Sequence, residues 1–280
     1  MKWKLLCWLL IGGCFAANAQ PTDCNCQNDF VYVKDKVEQK HPGFKVNVNN
    51  ETRKDYDRKV AETAARIQND TPDRENCASY IGDYLSFFRD KHMKVFVDNG
   101  RPDKSERNLT RDMTLESINE NTWYIKLPTF YKTYWKEIDS FYDSIIPQLQ
   151  TRPNLVVDLT GNTGGGPRMY LQLTKFLKKR KNAPARIALI YDRYCASACE
   201  HFVLELAGKK GVTTFGENSF GALGYGNVAS LVTPNCGLKF YLPATLFRRY
   251  LKYEVDGIPP DRPLESGTDW RQQVEDVFSR

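Results

Sequence analysis

Ser197 stands between Ala196 and Ala198, after the apolar run from Ile187 to Tyr191 and before a second one through Phe202, Val203 and Leu206. A serine at a strand-to-helix turn places its hydroxyl where the first helical N–H groups have no intrahelical partner. Those groups can receive a developing oxyanion, so the spacing allows a nucleophile. It allows an ordinary helix N-cap equally well, and on local sequence that is the simpler reading. Gly164-Gly165-Gly166 follows another apolar run, Leu155 to Leu159. Glycines there can aim backbone N–H groups at an oxyanion or a phosphate, or simply make a tight turn. Neither G-x4-G-K-[ST] nor G-x-G-x-x-G is present, so the loop does not read as a nucleotide site.

A nucleophilic serine needs a base, and the chain offers three histidines. His41 lies in a His-Pro-Gly helix stop and reads as a solvated loop residue. His201 is four residues beyond Ser197, on the same face of a helix, where it can serve as base or pack beside Phe202. His92 follows Asp90-Lys91 at a junction between helical and extended patterns. Cys24-x-Cys26 and Cys195-x3-Cys199 do not have zinc-knuckle spacing, and no metal or organic cofactor is expected.

The elements that must position these groups follow from hydrophobic periodicity. Phe30, Val33 and Val37 mark one helix, Tyr56, Val60, Ala64 and Ile67 a second, and Tyr80, Ile81, Tyr84, Leu85 and Phe88 a third. Asn49, Asn50 and Asp73 are candidate caps. Met93–Val97 reads as a strand, 99–111 as an exposed polar loop, Trp123–Leu127 as a strand, and Ile138, Tyr142, Ile145 and Leu149 as a helix. Strand 155–159, helix 167–180, strand 186–191, helix 197–208 and strand 212–216 then alternate, which implies parallel βαβ units. Two further strands, 228–232 and 238–242, and a short C-terminal helix complete the chain.

At the N-terminus, Lys2 and Lys4 precede an apolar run from Leu5 to Ala17, shorter than the about 20 residues a membrane span needs. Ala17-Asn18-Ala19 fits a cleavage site, so residues 1–19 read as a signal peptide and the protein as exported, periplasmic or secreted. Ile11-Gly12-Gly13-Cys14 also fits a lipoprotein box, and membrane association is expected only if Cys14 is lipidated. The net charge of +6 falls by two when this segment is removed, which gives no argument for nucleic acid. The basic run 175–181 closes a helix, where cations suit the dipole. Six of the eight cysteines lie beyond the signal, and an even number in an exported chain implies disulfides whose pairing the sequence leaves open.

Taken together, the segments Asp90-Lys91-His92, Tyr124 to Phe130, Asp158 to Gly165, Ala196 to Glu200, Phe215 to Gly221 and Gly257 to Asp261 occur in the order found in the tail-specific (C-terminal processing) peptidases. The chain resembles that family over about residues 85–265. The resemblance implies an α/β fold with a ClpP/crotonase-like core, here residues 92–280, preceded by an N-terminal helical subdomain, 20–91. In the processing-protease branch a lysine follows the second Phe-Gly. Here Phe220-Gly221 is followed by Ala222. In the tricorn-like branch a histidine is the base and a glutamate orients it, and His92 and Glu254 fill both positions. The resemblance therefore implies a Ser197–His92–Glu254 triad, with the Ala198 N–H and that of Gly164 or Gly165 as the oxyanion hole.

Under this reading the protein is an exported serine peptidase acting on peptides or unfolded proteins. Thr160 stands where the family often has arginine, and the peptide-binding PDZ module is missing. One rival is a catalytically silent binding protein on the same fold. Another is a crotonase-like acyl-CoA enzyme, which the signal peptide argues against.

Overall fold

The computed structural model describes residues 24–100, 113–179 and 183–279. The expected signal peptide, Cys14 and most of the polar loop 99–111 lie outside the described residues. The helical region comprises α1 (Cys26–Lys40), the single turn α2 (Phe44–Asn47), α3 (Arg53–Asp70) and α4 (Arg74–Leu85). Asp73 caps α4 by accepting the Asn76 N–H at 2.8 Å. Asn49, a candidate cap for the next helix, instead accepts the Glu51 and Thr52 amides and closes the turn before α3.

Two sheets follow. The larger has the order β2 (Thr114–Asn119), β3 (Thr122–Lys126), β4 (Asn154–Asp158), β5 (Arg186–Tyr191), β6 (Val212–Gly216), β9 (Arg262–Pro263). Strands β3 to β6 are parallel, as the alternating pattern requires, joined through α5 (Trp135–Leu149), α6 (Arg168–Lys178) and α7 (Ala198–Leu206). Leu155, Val157, Ile187 and Leu189 face these helices, while Val156, Ala188 and Ile190 face Val274 of α8 (Trp270–Ser279). This two-residue alternation buries both faces of the sheet, so β4 and β5 read as nearly continuous apolar runs.

The smaller sheet is antiparallel. Strand β1 (Lys94–Val97) does not join the parallel sheet; it pairs antiparallel with β8 (Leu238–Leu246), which pairs with β7 (Tyr225–Val232). Leu238, Phe240 and Leu242 of β8 share one apolar core with Phe30, Ile81, Tyr84 and Phe88 of the helical region. The expected division at residue 91 thus falls within a continuous core. β2, the antiparallel edge of the large sheet, was hidden by its even mixture of polar and apolar residues.

Three disulfides join Cys24 to Cys236, Cys26 to Cys77 and Cys195 to Cys199. The first ties the start of α1 to the turn between β7 and β8. Buried Asp29 of α1 supports the same junction by accepting from Thr233 Oγ1 and the amides of Asn235 and Cys236. Closing a loop across 212 residues restricts the unfolded chain strongly, and the chain-entropy estimate for such a link is about 5 kcal/mol. The double variant Cys24→Ala, Cys236→Ala should therefore lose about 5 kcal/mol in urea unfolding, with native circular dichroism retained before the transition.

Candidate active site

The parallel strands β4 and β5 end side by side, and the loops after them carry the glycine cluster and Ser197. Ser197 precedes α7 with φ 53° and ψ −112°, a backbone conformation that a type II′ turn ordinarily reserves for glycine. A plain N-cap residue would be extended, so the bland reading does not account for this geometry. A strained, non-glycine turn persists only where its surroundings over-determine it.

Those surroundings centre on Glu200, which is fully buried. Its carboxylate accepts the Ser197 N–H at 2.8 Å, the Ser219 hydroxyl at 2.5 Å and the Gly221 and Ala222 amides at 2.6 and 2.9 Å. Burial pushes its carboxyl upward, while the four donors work in the opposite direction by favouring the charged form. The Cys195–Cys199 bridge closes the same turn from either side of Ser197.

The glycine loop is joined to this turn by Asn162, also fully buried. Its Nδ2 donates to Leu127 O at 2.8 Å, its Oδ1 accepts the Gly164 N–H at 2.9 Å, and its carbonyl accepts the Ala196 N–H at 3.2 Å. The Gly164 amide is therefore turned inward, contrary to its expected place in an oxyanion hole. The amides of Gly165 and Ala198 have no hydrogen-bond partner among the described residues. Gly164 has φ +92°, and a Cβ there would meet Ala196 O at 2.3 Å and Ser197 Cβ at 3.2 Å. The loop can lie this close to Ser197 only as glycine. Behind it, Lys126 bonds Asp158, at 2.9 Å, and Thr160.

Ser197, Ala198, Gly165, His92 and His201 line one cavity of about 550 Å³, together with aromatic side chains from Tyr170, Phe247 and Tyr250. Among the described residues no direct hydrogen bond joins Ser197 to His92, and both buried ring nitrogens of His92 lack a hydrogen-bond partner. The carboxylate beside His92 is Asp90, with Oδ1 3.6 Å from Nδ1 and 2.8 Å from the His92 backbone N. Glu254 forms no hydrogen bond to His92. It accepts the Leu223 and Gly224 amides at 2.8 and 2.6 Å and the Lys91 amide at 3.4 Å.

The environments of the two carboxylates differ accordingly. Asp90 feels burial as an upward push, but the His41 ring, the nearby His92 ring and the His92 backbone N–H outweigh it and hold the carboxyl below its ordinary value. Glu254 is pushed up by burial and by the charge of Asp90, against the amides that bind it. The Glu254 segment is itself constrained: Val255 has φ 79°, an outlier for a β-branched residue, and its carbonyl accepts from Lys91 Nζ at 2.8 Å. Lys91 Nζ also bonds Phe220 O.

Of the other two histidines, His41 departs from expectation. His41 is buried, with 4% of its surface exposed. Its Nε2 lies 3.0 Å from Asp90 Oδ2, and its ring packs between Phe88 and Tyr225. The Pro-Gly that follows stops α1, which had suggested a surface loop, but Tyr225 and Phe88 close over the ring. His201 sits 5.1 and 5.0 Å from the rings of Phe247 and Tyr250, and burial lowers its pKa to about 4. It is a neutral wall of the cavity near neutral pH. Glu200 had a legible signal, since Ser197-x-x-Glu200 is a capping-box pattern. Asn162 and the aromatic residues of 247–250 had none that distinguishes them from other loop residues.

No family model matches the chain, and no curated protein matches it. Among solved structures, a lipoprotein from Streptococcus agalactiae superposes with a TM-score of 0.60 at 17% identity, covering 94% of this chain and 98% of its own. A putative peptidase from Parabacteroides merdae gives 0.58 at 14% identity, with coverages of 90% and 96%. The photosystem II D1 C-terminal processing protease gives 0.50 at 11%, with 86% and 93% covered. These likenesses show the fold alone, one shared with a lipoprotein, a putative peptidase and a C-terminal processing protease.

Two substitutions probe the geometry. Gly164→Ala should destabilise the protein by more than about 2 kcal/mol in denaturant titration, because the new methyl meets backbone on one side and Ser197 on the other. Neutral, half-buried His201 makes stability fall as pH drops from about 6.5, where the unfolded chain begins to bind the proton, to about 4, where the folded protein does. That loss amounts to about 3 kcal/mol. His201→Phe should remove it, so the stability difference between wild type and variant should vary over this pH window and be flat on either side.

Proposed function

We propose that the protein is an exported serine peptidase that cuts peptides or unfolded proteins through an acyl-enzyme. The observation that carries this reading is the strained Ser197 turn, set in one cavity with His92 and with the Gly165 and Ala198 amides, which have no partner among the described residues. An N-cap serine needs neither the strain nor the convergent donors. Likeness to peptidases in fold supports the reading, as do the disulfides, which suit an oxidising compartment.

In this mechanism Ser197 Oγ attacks the substrate carbonyl carbon while its proton passes to His92 Nε2. The carbonyl π electrons move onto oxygen, where the Gly165 and Ala198 amides receive the charge. Collapse of the tetrahedral intermediate breaks the C–N bond, and the proton on Nε2 goes to the leaving amine. Water, deprotonated by His92, then releases the acyl group from Ser197. Glu254 belongs to the machinery through the Lys91, Leu223 and Gly224 amides, which tie the residue before the base to the 223–224 segment. The cavity beyond Ser197, walled by Tyr170, His201, Phe247 and Tyr250, suits an apolar substrate side chain.

A second reading, a binding protein that keeps the cavity without turnover, is favoured by the absence of a Ser197–His92 hydrogen bond. Incubating the mature protein and its Ser197→Ala variant with a mixed peptide pool, read by mass spectrometry, separates the two. Peptidase activity gives products with the wild type only, and His92→Ala should abolish them. Turnover retained in His92→Ala and lost in His201→Ala would move the base to His201. Peptides retained by both proteins but cut by neither would establish the binding reading.

A further inference from the structure

The geometry points to Asp90 as the group that orients the His92 imidazole, with buried His41 as the residue that holds Asp90 in place. The site is thus a four-membered chain from Ser197 through His92 and Asp90 to His41. This rests on the proposed role of His92 as base, but its geometry is independent of turnover. Asp90 uses both carboxylate oxygens at once. Oδ1 accepts the His92 backbone N–H at 2.8 Å and lies 3.6 Å from His92 Nδ1, while Oδ2 is 3.0 Å from His41 Nε2. The bond from Oδ1 to the backbone of the residue two positions on is a local Asx-type link, so Asp90 and His92 move as one unit. Arg89, in left-handed conformation with φ 51°, and the Met93 N–H to Asp90 O bond close the turn around them.

The carboxylate and the His41 ring are both shut off from solvent. A carboxylate in such a place must be held by donors, since it can only accept when ionised. The His41 Nε2–H supplies one that is fixed by the rings of Phe88 and Tyr225. With Oδ2 taken by His41, Oδ1 is left to face Nδ1, which selects the tautomer with the proton on Nδ1 and the lone pair on Nε2. A base requires that tautomer, and contacts that are long in a resting site shorten when substrate closes it. Asp90 remains ionised throughout, and no proton passes to it or to His41. Glu254, bound to three backbone amides, is not arranged to do this. Asp90 and His41 are positioning residues, and the helical region reaches the chemistry through both.

Nitrogen-15 spectra of the His92 ring in the full mature chain test the assignment without any substrate. Wild type and Glu254→Gln should show the Nδ1–H tautomer near neutral pH, and Asp90→Asn should lose it. In peptide cleavage Asp90→Asn should lower kcat by about a thousandfold with KM changed only a few-fold. His41→Leu should lower kcat by about tenfold to a hundredfold, and His41→Gln, whose amide can still donate to Oδ2, should recover most of that loss. This pair decides the matter even if Asp90→Asn does not fold. A tautomer that survives in Asp90→Asn and is lost in Glu254→Gln would overturn the assignment in favour of Glu254. Equal losses in His41→Leu and His41→Gln would overturn the role given to His41. A tautomer controlled by Asp90 in a protein that cuts nothing would uphold the orienting chain and reject the peptidase reading instead.

Discussion

One buried carboxylate determines where Ser197 stands. Glu200 gathers the Ser197 amide, the Ser219 hydroxyl and the Gly221 and Ala222 amides into a single acceptor, and so ties α7, the segment after β6 and the strained turn together. A carboxylate removed from water is stable only when its donors are complete. Loss of any one donor would therefore weaken the rest, and the turn at Ser197 inherits the rigidity of the whole set. Ser219 extends it further by accepting the Ile258 N–H at 2.8 Å, which anchors the segment that follows Glu254.

The second constraint is the seam between the helical region and the small sheet. Phe88, His41 and Tyr225 pack together there, and Asp90 sits at their edge. Without side-chain contacts in view, the helices look like a separate preface to an α/β core. The contacts show instead that their apolar core runs on into β8 and that the turn leaving them carries His92. What the parallel sheet contributes is a different service: two strand ends in register, from which the Gly164 and Ser197 loops approach within van der Waals contact.

The parallel strands and their crossover helices were legible because burial on both faces leaves unbroken apolar runs between turn residues. Strand β5 and strand β6 were read to the residue. Strand β1 was read as a strand but its partner was not legible, since alternation along a strand says nothing about which sheet it joins. Among the candidate residues, Ser197 and the glycines are marked by type and by their place after apolar runs, whereas His92 is marked only through the family resemblance. The direction of each amide is not legible, so the sequence leaves Gly164 and Gly165 as alternative oxyanion donors and gives no role to Asn162. His41 was misplaced for a related reason: a Pro-Gly stop predicts where a helix ends, not what later packs on that end, and Tyr225 lies far downstream in sequence. Glu254 was read from a motif, and its hydrogen bonds to amides depend on the path of a backbone that the motif does not specify.

The pairing of β1 with β8 has a consequence for the order in which the chain can fold. The helices are complete by residue 88, yet the strand that covers their apolar side ends near residue 246. Contacts so distant in sequence require a large loop to close before they return any stability, which slows folding. As the chain emerges vectorially, its first third must wait, with Ile81, Tyr84 and Phe88 uncovered, until nearly nine-tenths of the chain has appeared. The N-terminal helices are therefore first to be made and among the last to be finished, and the interval between is when this chain most depends on protection from its neighbours.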